Sequence, residues 1–233
     1  MNDITVVYYT SNFANPPFTE AVRARLLESI GDTPLISVSQ KPMDFGHNIC
    51  VGDIGRSQVN IYKQVNIGIK AAKTKYVALC EDDCLYPPSH FTCFRPKDDE
   101  FAYNMNRWGV YTWTKPPIFS NKNRISLSQC IANREFMIEC SDERFAKFPD
   151  ESKIPLHHFA EFGKYEKWMD IKIRKKVEFN SPDPTIIFSH PDAIGYSGLG
   201  VRKRHGDLKA NEFPMWGTAE EVLKKYWGTE RLI

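Results

Sequence analysis

The sequence predicts an α/β fold built on a parallel sheet, and three observations carry that reading. Ile4 to Tyr9, Leu35 to Ser39 and Tyr76 to Cys80 are short apolar runs with the length and β-branched or aromatic content of buried strands. Between them lie two segments whose apolar residues recur every four positions, as they do on one face of a helix. The third run ends in Glu81-Asp82-Asp83, at the carboxyl end of a strand, where an open α/β sheet faces its ligand crevice.

The first run leads into Thr10-Ser11-Asn12, turn-forming residues with hydroxyl and amide groups, and then a loop with Pro16-Pro17. Thr19 is the expected N-cap of the first helix, with Glu20 in its first turn and Val22, Leu26 and Ile30 as its apolar stripe before Gly31. After the second run comes a loop containing Gly46, Gly52 and Gly55. Ser57 is expected to cap a second helix, with Ile61, Val65, Ile69 and Ala72 on one face and Lys70, Lys73 and Lys75 toward its C-terminal end. Tyr76 to Cys80 has no polar alternation, so it is expected to be buried on both faces.

With right-handed crossovers this order gives a half-sheet of Rossmann type for residues 1–95. Neither GxGxxG nor GxxxxGK[ST] is present, which disfavours an NAD enzyme and a P-loop NTPase. A half-sheet without a glycine fingerprint must hold a diphosphate another way. Three adjacent carboxylates repel one another and solvate poorly at the end of a buried strand, so a divalent cation is the economical explanation; a solvated acidic turn before Pro87-Pro88 is the alternative.

Beyond residue 95, Tyr103 to Trp108, Val110 to Trp113 and Ile118-Phe119 predict short strands and aromatic loops. Ser128 to Phe148 predicts a helix with Ile131, Phe136, Ile138 and Phe145 in the core. Thr185 to Phe188 reads as another strand, ending in Ser189-His190-Pro191, and Ala219 to Trp227 as a last helix. A chain of 233 residues is most simply one domain, here with a nucleotide-binding half (1–95), a second half (96–206) and an extension (207–233).

The composition is that of an ordinary water-soluble protein, and no apolar stretch reaches the roughly 18 residues that span a bilayer. No signal-peptide pattern precedes the first strand, so a cytoplasmic location without membrane contact is expected, with the six cysteines as free thiols. Cys80 and Cys84 flank the acidic triplet at a spacing that an extended strand would hold apart, which argues against zinc. The formal net charge of +2 marks no dedicated nucleic-acid binder, but Lys172, Arg174, Lys175 and Lys176 cluster, as do Arg202, Lys203, Arg204, His205 and Lys209. These runs are either solvated faces or contacts for a polyanion.

The strand ending in Thr10-Ser11-Asn12, and the segment GRSQVNIYKQVNIGIKAAKTKYVALCEDDCLYPPSHF, resemble the GT-A glycosyltransferases, and within them family 2. Glu81-Asp82-Asp83 stands where that family has its DxD motif, with Glu in place of the first Asp. The resemblance implies an α/β GT-A fold, a Rossmann-like half-sheet plus a smaller acceptor-side region. It implies that Asp83 coordinates Mn²⁺ or Mg²⁺ bridging the phosphates of a nucleotide diphosphate sugar, UDP-linked by family frequency, while Glu81 and Asp82 help hold ribose and metal. It further suggests His190 as a late histidine ligand, with His205 as the alternative; an imidazole would favour Mn²⁺.

Tyr9, Thr10 and Ser11 sit where the family grips base and ribose. Arg56 and Lys63 are candidates for nucleotide contacts, and Gly195 to Gly200 followed by Arg202 is a candidate loop over the diphosphate. An inverting enzyme needs a carboxylate base near the acceptor hydroxyl. Glu161 is the choice, with Glu166 and Asp170 as competitors. The acceptor is open between a saccharide or protein hydroxyl and a hydroxymethylated pyrimidine in DNA, for which Trp108, Trp113, Trp168 and Trp216 offer stacking surfaces. A nucleotidyltransferase and a non-catalytic nucleotide-sugar-binding protein are the other classes that this scaffold admits.

Overall fold

The structure is a computed structural model that describes residues 3–121, 123–155, 158–191, 193 and 206–228. Its first half contains β1 (Ile4–Thr10), α1 (Pro16–Ile30), β2 (Leu35–Ser39), β3 (His47–Cys50), α2 (Gln58–Ala71) and β4 (Tyr76–Glu81). These strands lie side by side in the order β3-β2-β1-β4, all parallel. That is the order of a nucleotide-binding half-sheet, as the apolar runs predict.

Both faces of β1 are covered, which is why it lacks polar alternation. Val7 and Tyr9 pack with Val65 and Ile69 of α2, whereas Ile4, Val6 and Tyr8 pack with Leu26 and Ile30 of α1. Gly68 permits the close approach of α2, because a β-carbon there would sit 2.4 Å from Val7. Ser57 caps α2 by accepting a 3.1 Å hydrogen bond from the Asn60 N–H. α1 starts earlier than the sequence suggests. Asn15 takes the cap position and Pro16-Pro17 fill the first turn, where no N–H is needed.

Several strands escape the sequence reading, and two of them show why. β3 lies on the edge beyond β2 with its residues half-exposed or exposed, so it shows no apolar run. The second lies in the predicted helix from Ser128 to Phe148. Here β5 (Cys84–Leu85), α3 (Pro88–Thr92), β6 (Glu100–Asn104), β7 (Arg107–Tyr111) and β8 (Phe119–Asn121) are followed by a single 3-10 turn at Leu127–Gln129, then β9 (Cys130–Asn133) and α4 (Arg134–Lys147). β9 inserts antiparallel between β4 and β6, so Ile131 belongs to the sheet core, and Asn133 caps α4 by accepting from the Glu135 and Phe136 N–H groups.

After the short helix α5 (Glu166–Met169), β10 (Lys175–Phe179) joins β6 to complete the seven-stranded sheet. β11 (Thr185–Ser189) and β12 (Leu208–Ala210) build a second, five-stranded sheet in the order β12-β8-β7-β11-β5. A third apolar cluster seats it against Phe18 and Val22 of α1 and against the C-terminal segment Ala219–Trp227, which Thr218 and Glu221 start with a capping box. The result is the α/β architecture expected, a Rossmann-like half-sheet with a smaller region beside it. Strands from both halves share the large sheet. All six cysteines are free, and no described helix is long and apolar enough to cross a membrane.

Candidate active site

The carboxyl ends of β1 and β4 open onto a cavity of about 360 Å³. β1 and β4 run in register, with Tyr9 opposite Glu81, and their last residues are tied together. The Tyr9 hydroxyl donates to Glu81 Oε1 at 2.8 Å, and the Thr10 hydroxyl donates to Asp82. Burial and the adjacent Glu81 charge hold the Tyr9 phenol well above its usual range, so it stays a donor. Thr10 also accepts from the Asn12 N–H at 2.9 Å, and Asn12 in turn accepts from the N–H groups of Gln40 and Lys41. The turn after β1 is therefore fixed before any ligand arrives.

Gln64 is a polar residue on the buried face of α2. Its amide donates to the carbonyls of Thr10 and Val38, at 2.8 and 2.9 Å, tying α2 to β1 and β2.

The acidic triplet is half-buried. The Asp82 carboxyl is pushed up to about 6, first by burial and then by the charge of Asp83, with the Thr10 hydroxyl opposing. The chain then turns so that β5 pairs antiparallel with β11, and the Asp83 carbonyl accepts from the Phe188 N–H at 2.8 Å. That turn corrects the spacing argument against Cys84. Its thiol reaches Asp83 Oδ1 at 3.1 Å, and ligand atoms of Glu81, Asp83 and Cys84 all lie within 4.8 Å of one another. Burial and the two carboxylates push the Cys84 thiol well above its usual range. In the metal-free protein it is thus a hydrogen-bond donor, and the two carboxylates are the oxygen donors that suit a hard divalent cation.

Tyr9, Thr10, Ser11, Arg56, Glu81, Asp82, Asp83, Glu161 and His190 all line this one cavity. Arg56 lies 3.7 Å above the ring of Phe13, an exposed aromatic at the cavity wall. His190 follows β11 and is packed edge-on to Phe18 and tilted against Trp227; it is not among the ligand atoms gathered within 4.8 Å. Arg202 and His205, with the rest of the glycine-rich loop and its cations, lie outside the described residues.

Glu161 reaches the cavity from a loop that is clamped from below. Arg144 of α4, fully buried, donates to the carbonyls of Ala160 and Glu161 and to the Glu166 carboxylate at 2.5, 3.3 and 2.7 Å. Gln58 holds the Phe159 carbonyl at 2.6 Å. Glu166 is thereby excluded as a base, since it is a buried counter-ion that also accepts from the Gly163 N–H. Asp170 is exposed, pairs with Lys147 and does not line the cavity. Lys63 is likewise taken up by Glu151, at 2.5 Å.

The basic run 172–176 is neutralised by the fold. Lys172 and Arg174 share Glu139, Arg174 also meets Glu143, Lys175 meets Glu100 and Lys176 meets Glu178. Of the tryptophans proposed for stacking, Trp108 donates to Asn106 and packs on Phe213, and Trp216 donates to the Pro184 carbonyl. Trp113 packs edge-on to Tyr111. Trp168 is 71% exposed and stacks on His158. Arg107 and Arg124, which the sequence reading passed over, also line the cavity.

No protein-family model matches the chain, and no curated protein matches it significantly. Among solved structures it is similar to a glycosyltransferase involved in the glycosylation of the major capsid of PBCV-1, at TM-score 0.48 and 9% identity over 79% of this chain and 91% of that one. It is similar to S. aureus TarS 1-349 in complex with UDP-GlcNAc, at TM-score 0.45 and 11% identity over 81% of this chain and 59% of that one. A nucleotidyl transferase from Methanothermobacter thermautotroptrophicus gives TM-score 0.40 and 10% identity over 61% of this chain and 76% of that one. Likenesses this distant carry no argument about the reaction, which rests on the residues.

Proposed function

We propose that the chain is a metal-dependent glycosyltransferase moving a sugar from a UDP-linked donor to a hydroxyl acceptor. The observation that carries this reading is the convergence of the β1 turn, the acidic end of β4 and Glu161 on one cavity of about 360 Å³, a volume suited to a small organic ligand. Glu81 and Asp83 would hold Mn²⁺ or Mg²⁺, with His190 on the same wall. Such a cation offsets charge that develops on a diphosphate leaving group.

The protein's own residues do the rest. Tyr9 and Thr10 hold Glu81 and Asp82 in place, so these carboxylates do not reorganise on binding. Ser11 and the turn after β1 would contact base and ribose, and Arg56 and Arg202 the diphosphate. Glu161 takes the proton of the acceptor hydroxyl, and the Arg144 clamp keeps its loop from drifting away from the cavity. A DNA acceptor draws no support from residues 172–176, whose charges are already paired.

The test is incubation with a panel of nucleotide sugars in Mn²⁺ or in chelator, reading nucleoside diphosphate release and thermal shift. Release of UDP from one donor only with metal is expected. Glu161→Gln should lower transfer by roughly 10²- to 10⁴-fold while keeping the thermal shift with UDP and Mn²⁺. Pyrophosphate release from a nucleoside triphosphate would move the chain to the nucleotidyltransferases. A thermal shift without turnover by any donor would make it a binding protein.

A further inference from the structure

Arg107 opens β7 in the second sheet, and Arg124 lies in the extended segment before the Leu127–Gln129 turn. Both line the cavity, and Arg107 Nη1 donates to the Arg124 carbonyl at 3.2 Å. Arg107 is half-buried. Burial and then the charge of Arg124 act against its charged form, and the negative charges of Glu81 and Glu161 favour it. It lines the same cavity as the candidate metal residues and the candidate base.

Among the described residues, neither arginine is ion-paired, although Arg144, Arg174, Lys63, Lys172, Lys175 and Lys176 each have a carboxylate. Arg107 and Arg124 carry like charges close together, and no described carboxylate forms an ion pair with either. Guanidinium groups are the donors suited to planar, bidentate capture of carboxylate or phosphate.

We infer that Arg107 and Arg124 bind an oxyanion other than the donor's diphosphate, a carboxylate or phosphate carried by one of the two substrates beside the reacting atoms. The identity of the carrier rests on the glycosyl-transfer reading; the anion site does not. A carboxylate would come from a uronic-acid donor, and a phosphate from a phosphorylated acceptor.

Titration calorimetry on the full chain saturated with UDP and Mn²⁺ separates these sources. One arm adds inorganic phosphate; the other replaces UDP by UDP-glucuronate or UDP-glucose. The wild type should bind phosphate, or prefer the glucuronate, and Arg124→Gln and Arg107→Gln should weaken that preference roughly ten- to hundredfold with UDP affinity unchanged. Arg107→Lys should recover part of it. Relief of repulsion should leave the metal-free melting temperature of Arg107→Gln level or higher; if it falls, the exposed Arg124 position decides. No response in either arm, or an equal loss of UDP affinity, overturns the inference. If UDP itself does not bind, phosphate titrated alone still reports: binding that Arg124→Gln abolishes keeps the anion site while the donor reading falls.

Discussion

The end of β4 and the start of β10 are both dense runs of one charge, and the structure treats them oppositely. On β10 and just before it, each lysine or arginine meets a carboxylate from α4, β6 or β10 itself. At β4, the hydroxyls of Tyr9 and Thr10 and the thiol of Cys84 donate to Glu81, Asp82 and Asp83, and all three residues line a cavity. A charged run whose side chains line a cavity can hold a ligand of opposite charge. A run whose partners are built in is part of the scaffold, and on an edge strand such as β10 lysines also discourage pairing with another sheet.

The largest effect that would break this contrast is at Asp83. Asp83→Ala should abolish transfer, by more than the roughly 10- to 100-fold that follows loss of a group merely supporting a metal ligand. The metal-free protein should melt at the same temperature or higher, because the charge of Asp83 is one cause of the raised Asp82 pKa. Full activity in chelator, or collapse of the fold, would reduce the acidic run to a structural feature like the basic one.

Arg144 tests the scaffold side, where charges are buried with their partners. Its ion pair with Glu166 is 2.7 Å long with both side chains essentially inaccessible, and its guanidinium lies 4.4 Å from the Phe162 ring centroid. Arg144→Met leaves the Glu166 carboxylate without its counter-ion and should destabilise the protein by about 3–5 kcal/mol. At about 2–4 °C per kcal/mol for a chain of this length, the melting curve resolves that easily. An unchanged curve would show that this pair contributes no more than a surface one.

The sequence made the acidic run legible and left much of its surroundings unread, for physical reasons. β1, β2 and β4 announce themselves because burial on both faces forces continuous apolar runs, and α2 because Ser57 and a four-residue stripe mark it. β9 does not, since Cys130–Asn133 is four residues whose partners, β4 and β6, are remote in sequence. Cys84 was separated from the triplet by assuming an extended strand, whereas the chain turns at Asp82-Asp83 to reach β11. Arg107 and Arg124 come from different elements and meet only through the β7 side of the cavity. The one local hint was a cation at the head of the apolar run Trp108 to Tyr111.

Asp82 sharpens the comparison with pH as the variable. Its folded pKa is about 6, above the ordinary 3.8, so folding binds its proton more tightly than the unfolded chain does. The stability it contributes is complete below pH 3.8 and is lost as pH rises through 6. Asp82→Asn should therefore stabilise the metal-free protein at pH 7 by about 1–2 kcal/mol, allowing for partial contact with water, and by almost nothing at pH 4. Equal melting of the two proteins at pH 7 would mean that Asp82 is not confined as described.

The smallest expected effect is on the basic side, and it bears on the acceptor. Lys172 and Lys176 sit in pairs whose side chains are 62% and 35% exposed, with Glu139 and Glu178 as partners. Surface pairs of this kind contribute about 0–1 kcal/mol. Lys172→Ala and Lys176→Ala should each move stability by no more than that and leave transfer unchanged. The decisive measurement is retention on duplex DNA across a range of salt. A lysine that neutralises a phosphate adds about 0.9 to the slope of log affinity against log salt, so reversing both charges would flatten a genuine DNA contact by nearly two. A slope that does not move leaves these cations with their carboxylates. A slope that falls would mean that DNA displaces Glu139 and Glu178, and that paired charges on this face are available to a polyanion after all.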